Sequence, residues 1–227
     1  MNNKNILVLG SANQDKIQNI YFDKVYASNA SIIKVKDYYE SINTKEISSV
    51  STMNSLLSDI PTRKNLNLIK PSRIIVRRGS LNKFEGIDFP FQLINFDKIQ
   101  QLKFQKKFFI FGMFSLLISE FFYGNSFLDK IRHFINCIYH KKGFLGVSTG
   151  FFAILTALHE NPQDKIYVSG ITMENSIHFY KLTGKENKIM TRHKVDYFMI
   201  NFLKKNFKDR IYTNNKIFSK IANINLI

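Results

Sequence analysis

Three stretches of the chain carry side chains whose types and spacing could do chemistry. Gly10-Ser-Ala-Asn13 follows a short apolar run, so its backbone amides could approach a nucleotide. It is neither GxGxxG nor a P-loop, and a plain left-handed turn would use the same residues. Val147-Ser-Thr-Gly-Phe151 stands where a helix begins, offering unpaired N–H groups, the Ser148 and Thr149 hydroxyls and the positive end of a helix dipole. That set suits a phosphate or carboxylate, and it equally suits an ordinary N-cap. His193 lies between Arg192 and Lys194, whose charges favour the neutral imidazole that a general base requires; a surface histidine is the plainer alternative.

Other chemistries find little to work with. The five histidines show no HExxH spacing and no accompanying carboxylate cluster, so metal catalysis has no support and no metal or cofactor is expected. GxSxG is absent, and the single cysteine, Cys137, forms neither a disulfide nor a multi-cysteine zinc site, which suits a reducing compartment. The 227 residues carry 33 Lys+Arg against 17 Asp+Glu, a formal +16, on a background 44% hydrophobic with 22 Phe and 10 Tyr. So much ring surface excludes a disordered chain, and the length suits one domain over 1–227. The charge asks for an anionic partner: nucleic acid, an anionic membrane face or an anionic substrate, although solvated surface lysines account for much of it.

The elements that must position these residues follow from periodicity. Segment 6–9 reads as a first buried strand, 31–35 as a second, 73–77 as a third and 165–169 as a fourth, with a short final strand at 210–213. The Ser/Thr/Asn-rich stretch 43–61 holds a short helix around Met53, Leu56, Leu57 and Ile60, and Gly86 and Pro90 suggest irregular structure over 84–96. From 97 to 138 the pattern is helical, aromatic and broken near Tyr123-Gly-Asn125. Its Phe-rich part, 104–122, is core, lid, oligomer contact or membrane-facing surface, with core the plainest account. Phe151 to His159 is a buried helix behind the Ser148-Thr149 cap, and 195–207 places Val195, Phe198, Met199, Phe202, Leu203 and Phe207 on one helical face. Alternating helices and strands imply an α/β fold with a mostly parallel sheet covered on both faces. Such sheets bind ligands at the carboxyl ends of their strands, which directs attention to the loops after Leu9, Val147 and Ser169. No uncharged stretch reaches the roughly 18–20 apolar residues of a membrane span, and the apolar run at the N-terminus is too short for a signal-peptide core.

Three segments in order resemble the bacterial sialyltransferases of glycosyltransferase family 42. They are Gly146-Val-Ser-Thr-Gly-Phe-Phe-Ala-Ile-Leu-Thr-Ala-Leu158, Lys165-Ile-Tyr-Val-Ser-Gly-Ile171 with Tyr180 downstream, and His193-Lys-Val-Asp196 opening a Phe/Leu helix. The resemblance covers roughly the last third of the chain. It implies a single Rossmann-like domain of the GT-A-like variant, with 97–140 as a helical lid or acceptor-side insertion. The implied activity is an inverting, metal-independent transfer of sialic acid or another nonulosonic acid, pseudaminic and Kdo-type sugars included, from its CMP conjugate to a hydroxyl of a capsule or lipooligosaccharide glycan.

By the same resemblance His193 is the base and Ser148, Thr149 and Gly150 line the donor site, with Ser169 and Gly170 at the neighbouring strand end. Tyr180 bonds the departing phosphate, and Gly10, Ser11 and Asn13 sit near the cytidine. The chain departs from the family at Gly146, where an arginine is frequent, and at Glu174, where a second tyrosine is expected. The implied partners are the CMP-sugar donor, a glycan acceptor, an anionic membrane surface and a second copy of the chain in a homo-oligomer, at the cytoplasmic face of the cell membrane. Nucleic acid is the rival partner that +16 permits, without an RNP, helix-turn-helix or zinc pattern to carry it.

Overall fold

The computed structural model describes residues 3–12, 15–42, 46–77, 86–119, 126–138, 146–171 and 192–227, with backbone alone at 133, 136–138 and 192–193. At its centre is β1 (Asn5–Leu9), where Ile6, Leu7, Val8 and Leu9 have no solvent exposure. An unbroken apolar run without alternation is what a strand buried on both faces requires. β2 (Lys24–Ser28), β3 (Ile47–Thr52), β4 (Arg73–Arg77) and β5 (Gln92–Phe96) extend the sheet on one side of it; β6 (Lys165–Ser169), β7 (Ile211–Thr213) and β8 (Asn225–Leu226) extend it on the other. The order is β5-β4-β3-β2-β1-β6-β7-β8 and every pair is parallel. The chain thus winds outward from β1 to one edge, crosses back, and winds outward again from β6. This doubly wound arrangement is consistent with a Rossmann-like fold and puts a topological switch point between β1 and β6.

Helices cover both faces. One face of the sheet, through Leu7, Leu9, Val25, Ala27, Ile74 and Val76, meets a 3₁₀ helix (Asn29–Ser41) together with α1 (Met53–Ser58) and α2 (Ile60–Ile69). The other face, through Ile6, Val8, Val50, Ile75, Ile166 and Val168, meets residues of α3 (Lys98–Gln105), α4 (Met113–Ser119), α6 (Thr149–Glu160), α7 (Arg192–Asn201) and α9 (Lys216–Ala222). α5 (Phe127–Ile138) and the single turn α8 (Lys205–Lys208) complete the described elements. α6 is apolar all round, and its residues Phe151 to Leu158 are buried because it lies across the middle of the sheet. α3 starts on a capping box, Asp97 with Gln100.

Four expectations change. The segment 31–35 is not a strand: it lies inside the 3₁₀ helix, where the Ser31 hydroxyl donates to the Leu9 and Ser28 carbonyls, and the second strand is Lys24–Ser28. β3 and β5 form where loops were expected. β3 is polar in sequence, but its Ser48, Ser49 and Ser51 are buried, and Ser49 and Ser51 pair through their hydroxyls at 3.2 Å. The helix over 195–207 is interrupted at 202–204, where the backbone bonds the turn after α3 instead, Ile110 N–H to Phe202 O at 2.9 Å and Lys204 N–H to Phe108 O at 3.0 Å.

The aromatic segment divides. Phe104, Phe108 and Phe109 are core, in a cluster with Phe96, Phe151, Phe152, His159 and Phe207. Each fully buried ring there contributes about 1.5–3 kcal/mol. Ile110, Phe111 and Phe114 remain exposed. The expected break at 123–125 lies outside the described residues.

Candidate functional site

The strand ends at the switch point are stitched together by their own backbone. Gly10 N–H donates to Ser169 O and Ala12 N–H to Gly170 O, both at 2.8 Å. The two glycines are required by this approach. A Cβ on Gly10 would stand 2.2 Å from Gly170 O, and one on Gly170, whose φ is +71°, would stand 2.5 Å from Gly10 O. Gly10, Ser11, Ser169 and Gly170 therefore meet at one point on the carboxyl edge of the sheet. The Ser169 side chain is buried and bonds Tyr38, whose hydroxyl also accepts the Ile17 N–H at 3.0 Å.

Sequence reasoning missed the cation at this point. Lys34, on the 3₁₀ helix, donates from Nζ to Ala12 O, and a Cβ on Gly170 would lie 2.9 Å from that nitrogen. Partial burial lowers its pKa to about 8, against the opposing charge of Asp37. A signal for its element was present, since Val25-Tyr-Ala27 closing on Ser28-Asn-Ala-Ser31 is an apolar run ending in a cap cluster, but nothing near Lys34 in the chain marks the side chain itself.

The third predicted segment arrives at the same edge. Ser148 caps α6, its Oγ accepting the Phe151 N–H at 3.2 Å, and Thr149 and Gly150 form the first turn, both partly exposed. Gly150 faces β6 and β2: a Cβ there would meet Ile171 at 3.4 Å and Ser28 Oγ at 3.8 Å. The α6 dipole thus opens over the carboxyl ends of the central strands, where it favours negative charge.

A buried polar network fixes the loop before α6. Arg77, fully buried at the end of β4, donates Nη2 to Val147 O at 2.9 Å and Nε to Gln101 Oε1 at 3.2 Å, with its guanidinium 4.2 Å from the Phe152 ring centre. Gln105 Oε1 accepts the Val147 N–H at 3.0 Å. Gly146 sits at φ +106°, where a side chain would be strained, and the Gln105 amide occupies the place of its Cβ.

Asp196 ties in the last segment. It is buried in the first half of α7, and its Oδ1 accepts the Ser148 N–H at 2.7 Å. His193 is in the first turn of the same helix; its backbone is described and its side chain is not. Asn13, Glu174 and Tyr180 lie outside the described residues. Among the described residues no group of three or more His, Cys, Asp or Glu side chains could hold a metal ion, and no described helix is long and apolar enough to cross a membrane.

The β1 and β6 ends meet at one edge of the sheet beside Lys34, and the α6 and α7 starts are joined to each other through Asp196. No protein-family model, no curated protein and no solved structure matches the chain.

Proposed function

We propose that the protein is an inverting, metal-independent glycosyltransferase that moves a nonulosonic acid from its CMP conjugate to a hydroxyl of a surface glycan. The observation that carries this reading is the Ser148 N–H to Asp196 Oδ1 bond, which couples the start of α6 to the helix turn bearing His193. Ser148 and the helix turn that holds His193, more than 40 residues apart in sequence, are thereby joined, which supports reading them as parts of one site.

In this reading the nucleotide lies over the β1/β6 switch point near Gly10, Ser11 and Gly170, with the phosphate toward Thr149, Gly150 and the Lys34 ammonium. Tyr180 would add a hydroxyl to that phosphate. The acceptor oxygen attacks the anomeric carbon while the bond to the CMP phosphate breaks. The leaving electron pair stays on phosphate, so hydrogen bonds and dipoles serve there and no proton donor is needed. His193 takes the proton of the acceptor hydroxyl. The scheme uses no metal, and the region 97–140 is read as a helical lid or acceptor-side insertion.

The test is transfer and CMP release with CMP-sialic and CMP-pseudaminic acids, compared with His193→Ala. A general base contributes about 10²–10⁴-fold, so kcat should fall by that factor while CMP still raises the melting temperature. Unchanged turnover in His193→Ala removes the histidine from the mechanism. A chain whose melting temperature ignores CMP altogether removes the donor.

A further inference from the structure

Beyond the active-site reading, and independently of it, one surface has a composition that selects a partner. Ile110, Phe111 and Phe114 are 57%, 58% and 61% exposed on the turn after α3 and the start of α4. They are held outward by a fixed frame. Phe108 and Phe109 anchor the turn in the core, Ile110 N–H is bonded to Phe202 O, and Lys204 Nζ donates to Lys107 O at 2.8 Å. The surrounding charge is predominantly positive, with Asp97, Glu120 and Asp209 just outside the two basic segments. From Lys98 to Ser119 the chain has four lysines and no acid, and from Tyr197 to Lys208 three lysines and no acid. Lys103, Lys106, Lys107 and Lys205 are exposed, and the bonds at 107, 108 and 110 place the two lysine groups side by side.

We propose that this surface docks the protein on an anionic lipid bilayer, with Ile110, Phe111 and Phe114 entering the headgroup boundary and the lysines on the lipid phosphates. Apolar side chains in the middle of a basic field gain from a surface that is anionic outside and hydrocarbon within. A second copy of the chain would bring like charges face to face, and a nucleic-acid backbone offers nothing to the aliphatic Ile110.

The experiment is vesicle flotation of the full chain with phosphatidylcholine alone and with phosphatidylcholine containing about one third phosphatidylglycerol. The protein should float with the anionic vesicles only. Each basic residue at such a surface is worth about fivefold in binding, so Lys106→Gln with Lys107→Gln should weaken it about 25-fold. Phe111→Ser with Phe114→Ser should abolish flotation at physiological salt while leaving the thermal unfolding curve unchanged. The chain has no tryptophan, so the Phe111→Trp variant supplies a single tryptophan, selectively excited above the tyrosine band, whose emission should shift to the blue on anionic vesicles.

Several results would overturn the proposal. They are flotation with an unshifted Trp emission, equal flotation on neutral vesicles, or none on either. Displacement of the protein from vesicles by a short DNA duplex whose binding also requires Phe111 and Phe114 would assign the surface to nucleic acid. A vesicle-free dimer that Phe111→Ser with Phe114→Ser dissolves would assign it to self-association.

Discussion

Lys34 is the side chain at the switch point whose charge changes in an accessible pH range, because burial lowers its pKa to about 8 from an ordinary 10.5, against the opposing charge of Asp37. Below about pH 8 it is an ammonium beside the switch point; above, a neutral amine. Affinity for CMP should therefore fall as pH rises through about 8, and the Lys34→Met variant should bind more weakly at pH 7 with no such step. Dissociation constants measured from pH 6.5 to 9.5 on both proteins decide this, and an identical pH dependence in the variant would remove Lys34 from the ligand's surroundings. The linkage to stability has the opposite sense. Between about 8 and 10.5 the unfolded chain holds a proton that the folded chain has lost, so this group makes stability rise with pH in that window. The Ser148 cap was legible in the sequence because its partners stand close along the chain. Lys34 was not, because what marks it is proximity to Ala12 and Gly170, far away in sequence.

At the scale of elements, α6 is pinned at both ends. Its last residue, Glu160, receives Arg73 through both guanidinium nitrogens, at 2.9 and 2.6 Å, and the Tyr26 hydroxyl at 2.6 Å. Burial by itself would raise the Glu160 pKa; the bonds from Arg73 and Tyr26 outweigh it and hold the carboxyl below its usual range. Its first turn is held by Asp196, Arg77 and Gln105. Removing the Asp196 acceptor leaves the Ser148 N–H without a partner, so Asp196→Ala should cost about 2 kcal/mol, or about 4–8 °C in Tm for a chain of this length. Asp196→Asn keeps an oxygen in place and should lose less than half of that. Thermal unfolding of the two variants checks the order, and equal losses would show that charge rather than the single acceptor holds the helix start. The start of α6 was legible from Ser148-Thr-Gly150 because capping is local chemistry. Arg77 gave no such signal, since a buried arginine at a strand end resembles a solvated one until the helices that receive it are in place.

For the whole molecule, +16 is spread over a fold in which the described residues form two ion pairs, Lys24 with Glu46 and Arg73 with Glu160. Self-repulsion should therefore weaken the folded state at low ionic strength. Tm should rise as salt is raised from about 10 mM to about 0.3 M, where the screening length falls below about 10 Å. A Tm independent of salt in scanning calorimetry would mean that the charges are too dispersed to repel. The sequence by itself determined the α/β class, β1, β4 and β6 and the α6 cap, because buried parallel strands and helix caps leave their pattern within a few adjacent residues. Tertiary structure decided what depends on distant partners: that a serine-rich segment becomes β3, that 31–35 is helical, and which phenylalanines of 104–114 are core. It alone brought Lys34 to the β1 and β6 ends and Asp196 of α7 to the start of α6, since those contacts join residues far apart along the chain.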